Sequence, residues 1–113
     1  PFPDINARFA PYLNWLERGE VLSLRYEDLL ERPEGELGRI FDHALQRGFP
    51  YAGERAAAVQ ALWSAIRPED SPTFRSGQAG GWKKHFTPKH TKLFKEVGGE
   101  LLVRLGYERD LNW

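Results

Sequence analysis

A single apolar run, Val21-Leu22-Ser23-Leu24, is the one strand-like segment in a chain otherwise patterned for helices. That asymmetry limits what these 113 residues can fold into. A lone strand leaves backbone donors and acceptors unpaired on both sides, so it needs a neighbour from a missing part of the same protein or from a second copy. The expected fold is mainly α with one short β-strand, 20–25, within a single partial domain covering 1–113. Apolar spacing predicts helices over about 4–18, 33–46, 54–66 and 88–105. Ile5, Phe9, Tyr12, Leu13 and Leu16 form the first stripe, which Pro11 kinks or delays and Gly19 stops. Leu37, Ile40, Phe41, Ala44 and Leu45 form the second, opened by Pro33 and ended by Gly48. Val59, Leu62, Trp63 and Ile66 share one side of the third, which Pro68 closes. Phe94, Val97, Leu101 and Leu105 face inward on the last, with Thr87 as cap and Pro88 as first residue.

Residues 67–86 are expected to be an irregular loop, and the chemistry gathers there. From Ser71 to Lys95 stand one Arg, five Lys and two His with no Asp or Glu, in a chain of formal charge +0. Within it, Phe74-Arg75-Ser76-Gly77 sets a guanidinium beside a glycine, and Gly80-Gly81-Trp82-Lys83 follows. Glycine lets backbone approach a ligand closely, and arginine offers planar, bidentate hydrogen bonds to phosphate. The segment reads as an anion site, with phosphate the first choice. The plainer reading is a solvated turn leading into a helix.

Two other segments bear on that choice. Tyr26-Glu27-Asp28 follows the apolar run, and in open α/β folds the carboxyl ends of strands are where ligands bind. Alternatively, Tyr26 covers a core edge while Glu27 and Asp28 favour a helix start. Trp63, by its place in a helical stripe, is a core residue, but a flat ring near a phosphate loop is also a platform for a purine. Loop, tyrosine and tryptophan together suggest an adenine nucleotide bearing an extra phosphate.

The chain has no cysteine, hence no disulfide framework and no thiolate metal site, and its three histidines are dispersed. No apolar run reaches membrane-spanning length and no signal-peptide pattern opens the sequence, so a cytoplasmic setting is expected. Without methionine, and starting at Pro1-Phe2-Pro3, the sequence reads as a piece of something longer.

The succession of Tyr26-Glu27-Asp28-Leu29, two helices, Phe74-Arg75-Ser76-Gly77, Gly81-Trp82-Lys83 and a final helix resembles the C-terminal half of the cytosolic-type and bacterial sulfotransferases. The similarity runs from about Phe9 to Phe94. It implies that the chain is the C-terminal fragment of an α/β, P-loop-like, parallel-sheet fold. It implies transfer of a sulfuryl group from 3′-phosphoadenosine 5′-phosphosulfate (PAPS) to an acceptor hydroxyl or amine, leaving adenosine 3′,5′-bisphosphate. By the same resemblance Arg75 pairs with the 3′-phosphate, and Ser76 and Gly77 offer it backbone N–H groups. The family usually has Lys where Ser76 stands. Tyr26 is implied to lie near the adenine amino edge, and Trp63 to stack on the base. Lys83 and Thr87 resemble a dimer-forming motif, from which Pro88 and Thr91 depart.

The family's phosphosulfate loop and its catalytic histidine have no counterpart in the sequence, since none of His43, His85 and His90 occupies the base's position. No catalytic residue is therefore assigned, and the expected role is half of a nucleotide pocket, inactive alone. The expected partners are the nucleotide and an unidentified small-molecule acceptor, with neither nucleic acid nor membrane. The competing reading is a small helical binding or adaptor module whose basic face, Lys83 to Lys95, meets an acidic partner.

Overall fold

The structure is a computed structural model that describes residues 3–113. It divides into two compact units: Gly19–Ala79, and the flanking stretches up to Arg18 and from Gly80 to Trp113.

The Gly19–Ala79 unit is built on three helices, α2 (Tyr26–Glu31), α3 (Pro33–Gln46) and α4 (Arg55–Ala65), followed by a 3₁₀ turn at Pro68–Asp70. Pro33 suits the first position of α3, where its missing N–H has no intrahelical partner to lose. Past the end of α3, Gly48 adopts φ +89, a left-handed value that glycine takes without Cβ strain. Leu37 and Phe41 of α3 meet Ala58 and Val59 of α4 in a small core. Phe41 also packs edge-on against Tyr51, with ring centroids 5.1 Å apart. Glu36 is only 3% exposed, yet its carboxylate is held by Arg39 at 2.7 Å and Arg32 at 3.7 Å. A buried charge stays only where partners replace its lost water, and here two guanidinium groups do so.

Arg55 ties α4 to α3 by donating from Nε and Nη2 to both oxygens of Asp42, at 2.7 and 2.8 Å. These bonds hold the Asp42 carboxyl below the usual carboxylate range and raise the Arg55 guanidinium further. The guanidinium lies against the bare flank of Gly38, where a Cβ would collide with it.

In the other unit, α1 (Ile5–Leu13) runs into a 3₁₀ turn at Asn14–Glu17. A second 3₁₀ turn, Gly81–Lys84, precedes α5 (Pro88–Arg104). Asp4 caps α1 by accepting from the Ala7 amide at 2.8 Å. Thr87 and His90 make a reciprocal box at the start of α5: the Thr87 hydroxyl accepts from the His90 amide, and His90 Nδ1 accepts from the Thr87 amide. Helices α1 and α5 pack through glycine. A Cβ on Gly98 would stand 2.7 Å from the Ile5 Cγ2 methyl, and Asn6 donates to the Val97 carbonyl beside it. Ile5 is β-branched and cannot swing clear, so Gly98→Ala is expected to lower stability. Overpacking costs about 1–3 kcal/mol and the gain in helix propensity returns about 1. A thermal melt showing a stabilised variant would contradict this packing.

Three expectations need correction. The expected strand over 20–25 is not a strand, and no strand occurs among the described residues, so the α/β, parallel-sheet reading is not met and the fold is helical. Gly19 and Glu20 form a turn, and 22–25 have no regular structure; Arg25 has extended dihedrals (φ −96, ψ 140) but no ladder to join. The reason is the one that made the segment unusual: the chain offers no second strand. The helix expected over 4–18 is α-helical only to Leu13 and continues as a 3₁₀ turn to Glu17; Pro11 lies inside α1, where it removes the bond its N–H would make to the Ala7 carbonyl. Finally, Leu62 and Trp63 on α4 and Ile66 just past its end stay exposed, although Val59 on the same stripe is buried. Alanines surround most of that helix, so its pattern does not mark which side is covered.

Candidate functional site

The candidate site is the loop after the Pro68–Asp70 turn, at the end of the Gly19–Ala79 unit. Its first residues are fixed locally: the Ser71 amide donates to the Pro68 carbonyl at 3.1 Å, the Phe74 amide donates to the Ser71 carbonyl at 3.2 Å, and the Ser71 and Thr73 hydroxyls lie 3.3 Å apart. Beyond Phe74 the bonding stops. Among the described residues, Arg75 through Ala79 make no hydrogen bond, and the Arg75 guanidinium meets no carboxylate. All but Gly77 are exposed. Five successive residues thus keep their backbone donors open beside an unpaired cation, which is the chemistry an oxyanion needs.

Gly77 bends this run. Its φ is +57, and a Cβ built on it would stand 3.0 Å from the Phe74 ring and 3.5 Å from the Tyr26 hydroxyl oxygen. The structure therefore brings Tyr26, the first residue of α2, to the glycine of the loop. Glu27 and Asp28 fall in the first turn of α2, where negative charge complements the helix dipole.

Trp63 takes another position. It is 44% exposed and lines an open hollow of about 420 Å³ with Arg32, Pro33, Glu34 and Gly35 at the start of α3. Arg32 is engaged there with Asp28 at 3.0 Å and Glu36 at 3.7 Å. Of the five residues singled out from the sequence, Arg75, Ser76 and Gly77 share the loop, Tyr26 lies beside it, and Trp63 belongs to the α3–α4 hollow. Phe74 was quoted in the motif without a role, and its ring proves to be the nearest neighbour of Gly77. The signal that could have found it is an aromatic three residues before a glycine that must turn left-handed.

The unit that contains α5 has its own features. Gly80 has φ +74 and opens the Gly81–Lys84 turn. Trp82 meets Phe86 at 5.0 Å between ring centroids, with the Lys83 ammonium 5.8 Å from the Trp82 ring. Ile5, His85, Phe86, His90, Leu93, Phe94 and Val97 line an apolar hollow of about 480 Å³. Lys83, Lys84, Lys89, Lys92 and Lys95 form no ion pair with a carboxylate among the described residues. Thr87 is engaged in capping α5. No group of histidine, aspartate and glutamate among the described residues could hold a metal, and no described helix is long and apolar enough to cross a membrane.

No family model and no solved structure matches the chain. Cytosolic sulfotransferase 11 of Arabidopsis thaliana is 25% identical over 95 aligned residues, covering 68% of this chain and 27% of that protein. The similarity supports a distant relationship to a sulfotransferase. The chain spans about a quarter of that relative's length.

Proposed function

We propose that this chain is part of a sulfotransferase and forms the side of its nucleotide site that grips the 3′-phosphate of PAPS. The observation that carries the reading is the run of open backbone donors from Arg75 to Ala79, bent at left-handed Gly77 and accompanied by an unpaired guanidinium. In this role Arg75 makes the charged contact to the 3′-phosphate, and the amides of Ser76 and Gly77 donate to its oxygens. Trp63 lines the separate hollow at the start of α3 and takes no part in this grip. Tyr26 lies at the same loop. The distant similarity to a plant sulfotransferase points the same way.

Sulfuryl transfer requires the acceptor oxygen or nitrogen to attack sulfur while the bond from sulfur to the 5′-phosphate oxygen breaks, with a base taking the acceptor proton. The reading assigns that step to residues outside these 113. His90 is held in the α5 cap, His43 sits in the last turn of α3, and His85 follows the Gly81–Lys84 turn.

The test is calorimetry on the intact protein. Adenosine 3′,5′-bisphosphate is expected to bind at least about tenfold more tightly than AMP, a difference of ~1.4 kcal/mol. Equal affinities would overturn the proposal. The five lysines without carboxylate partners support a second reading, a basic face for an acidic partner. That reading predicts salt-sensitive binding with no preference for a 3′-phosphate, so the same titrations separate the two.

A further inference from the structure

We infer that Phe74 and Tyr26 are positioning residues that give the loop its selectivity for a ribose 3′-phosphate, by bracing one face of Gly77. The inference rests on the nucleotide reading above and adds a role that the loop sequence alone does not carry. Both side chains close on the same face of Gly77, the ring of Phe74 at 3.0 Å and the hydroxyl oxygen of Tyr26 at 3.5 Å from the place a Cβ would take.

Three observations separate this from ordinary packing. Phe74 is 47% exposed and Tyr26 50%, so neither belongs to the core of Leu37, Phe41, Ala58 and Val59, and their rings do little to stabilise that core. The residues they brace have no hydrogen bonds of their own to fix them, because Arg75 through Ala79 make none among the described residues. The left-handed conformation at Gly77 therefore has no local bonding to hold it, and glycine by itself populates both signs of φ about equally. Side-chain contact is what remains to select one. A loop already held in its binding shape loses less conformational freedom when the anion arrives, and affinity rises accordingly.

The bare Cα of Gly77 is part of the same device. A methyl there would meet the Phe74 ring at a distance tighter than ordinary van der Waals contact and would also face the strain of positive φ. Tyr26, on this account, acts on the phosphate through Gly77 instead of reading the base.

The experiment has two arms, both using Phe74→Leu and Tyr26→Phe. In the first, NMR of the intact protein follows the two Gly77 Hα protons. The proton on the Cβ side lies beside the Phe74 ring and should be displaced from its partner by the ring current, and the displacement should vanish in Phe74→Leu. A wild-type pair without displacement would overturn the brace, with no nucleotide needed. In the second, calorimetry on the intact protein compares adenosine 3′,5′-bisphosphate with AMP. Phe74→Leu should lose roughly tenfold in affinity for the bisphosphate, with AMP binding unchanged. Tyr26→Phe, which removes only the hydroxyl, should shift in the same direction by less. Equal losses for both nucleotides would mean base contact or general destabilisation, and unaltered affinities would mean ornament; either result overturns the inference. If the wild type itself shows no preference for the bisphosphate, the nucleotide reading falls and the selectivity role falls with it. A wild-type preference with equal losses in the variants removes the brace alone.

Discussion

Phe41→Ala is expected to destabilise the Gly19–Ala79 unit by about 3–5 kcal/mol, the range for deleting a large aromatic side chain from a packed interior. Phe41 is 6% exposed, and the core it joins contains only Leu37, Ala58 and Val59 besides. It is the largest of the four, and it also carries the edge-on contact to Tyr51 in the connection between α3 and α4. Small domains are stable by roughly 5–15 kcal/mol in all, so the variant should give up about a fifth of that margin or more. Urea unfolding followed by far-ultraviolet circular dichroism measures the loss as a lower midpoint. Leu45→Ala on the same helix, at a side chain already 39% exposed, serves as the comparison and should cost much less. If Phe41→Ala moved the midpoint no further than Leu45→Ala, the α3–α4 core described here would be wrong.

Arg75→Ala is expected to weaken binding of adenosine 3′,5′-bisphosphate by about 1.5–3 kcal/mol, the range for hydrogen bonds to a charged group. In affinity that is roughly 10- to 150-fold. AMP, which lacks the 3′-phosphate, should bind the variant as it binds the wild type. Folding stability should not move, since Arg75 has no bonded or paired partner among the described residues. Arg75→Lys should restore part of the affinity, because it keeps the charge but loses the planar fork that grips two phosphate oxygens. A variant with unaltered affinity for the bisphosphate would reduce Arg75 to a surface loop residue.

Local chemistry made some features legible in the sequence. Pro33 and Pro88 each open a helix because a first helical position wants no N–H, and Thr87 caps α5 with its own hydroxyl. Arg75, Ser76 and Gly77 stood out by the same kind of short-range argument, as a cation beside a permissive backbone. What escaped was non-local. Val21 to Leu24 has strand-like composition, but strand formation depends on a second strand that these residues do not supply. The short helix α2 is legible only through the alternative in which Glu27 and Asp28 favour a helix start; its acidic first turn and the Asp28–Arg32 pair four residues apart support it locally. Trp63 fitted a buried stripe, yet apolar spacing specifies a face without specifying what covers it. The approach of Tyr26 and Phe74 to Gly77 depends on how α2 and the loop fold back, which no window of sequence contains.

The missing side chain at Gly38 has a bearing on how the chain can change over time. Alanine is the better helix former by about 1 kcal/mol, and an interior helical glycine would ordinarily drift toward it. Here the extra carbon would press on the Arg55 guanidinium, the end of a flexible side chain that must shift beside Asp42 to make room. Positions 38 and 55 are thus linked across two helices: the exposed Asp42–Arg55 pair adds little to stability, so the propensity gained by alanine at 38 is offset in proportion to how far Arg55 must give way.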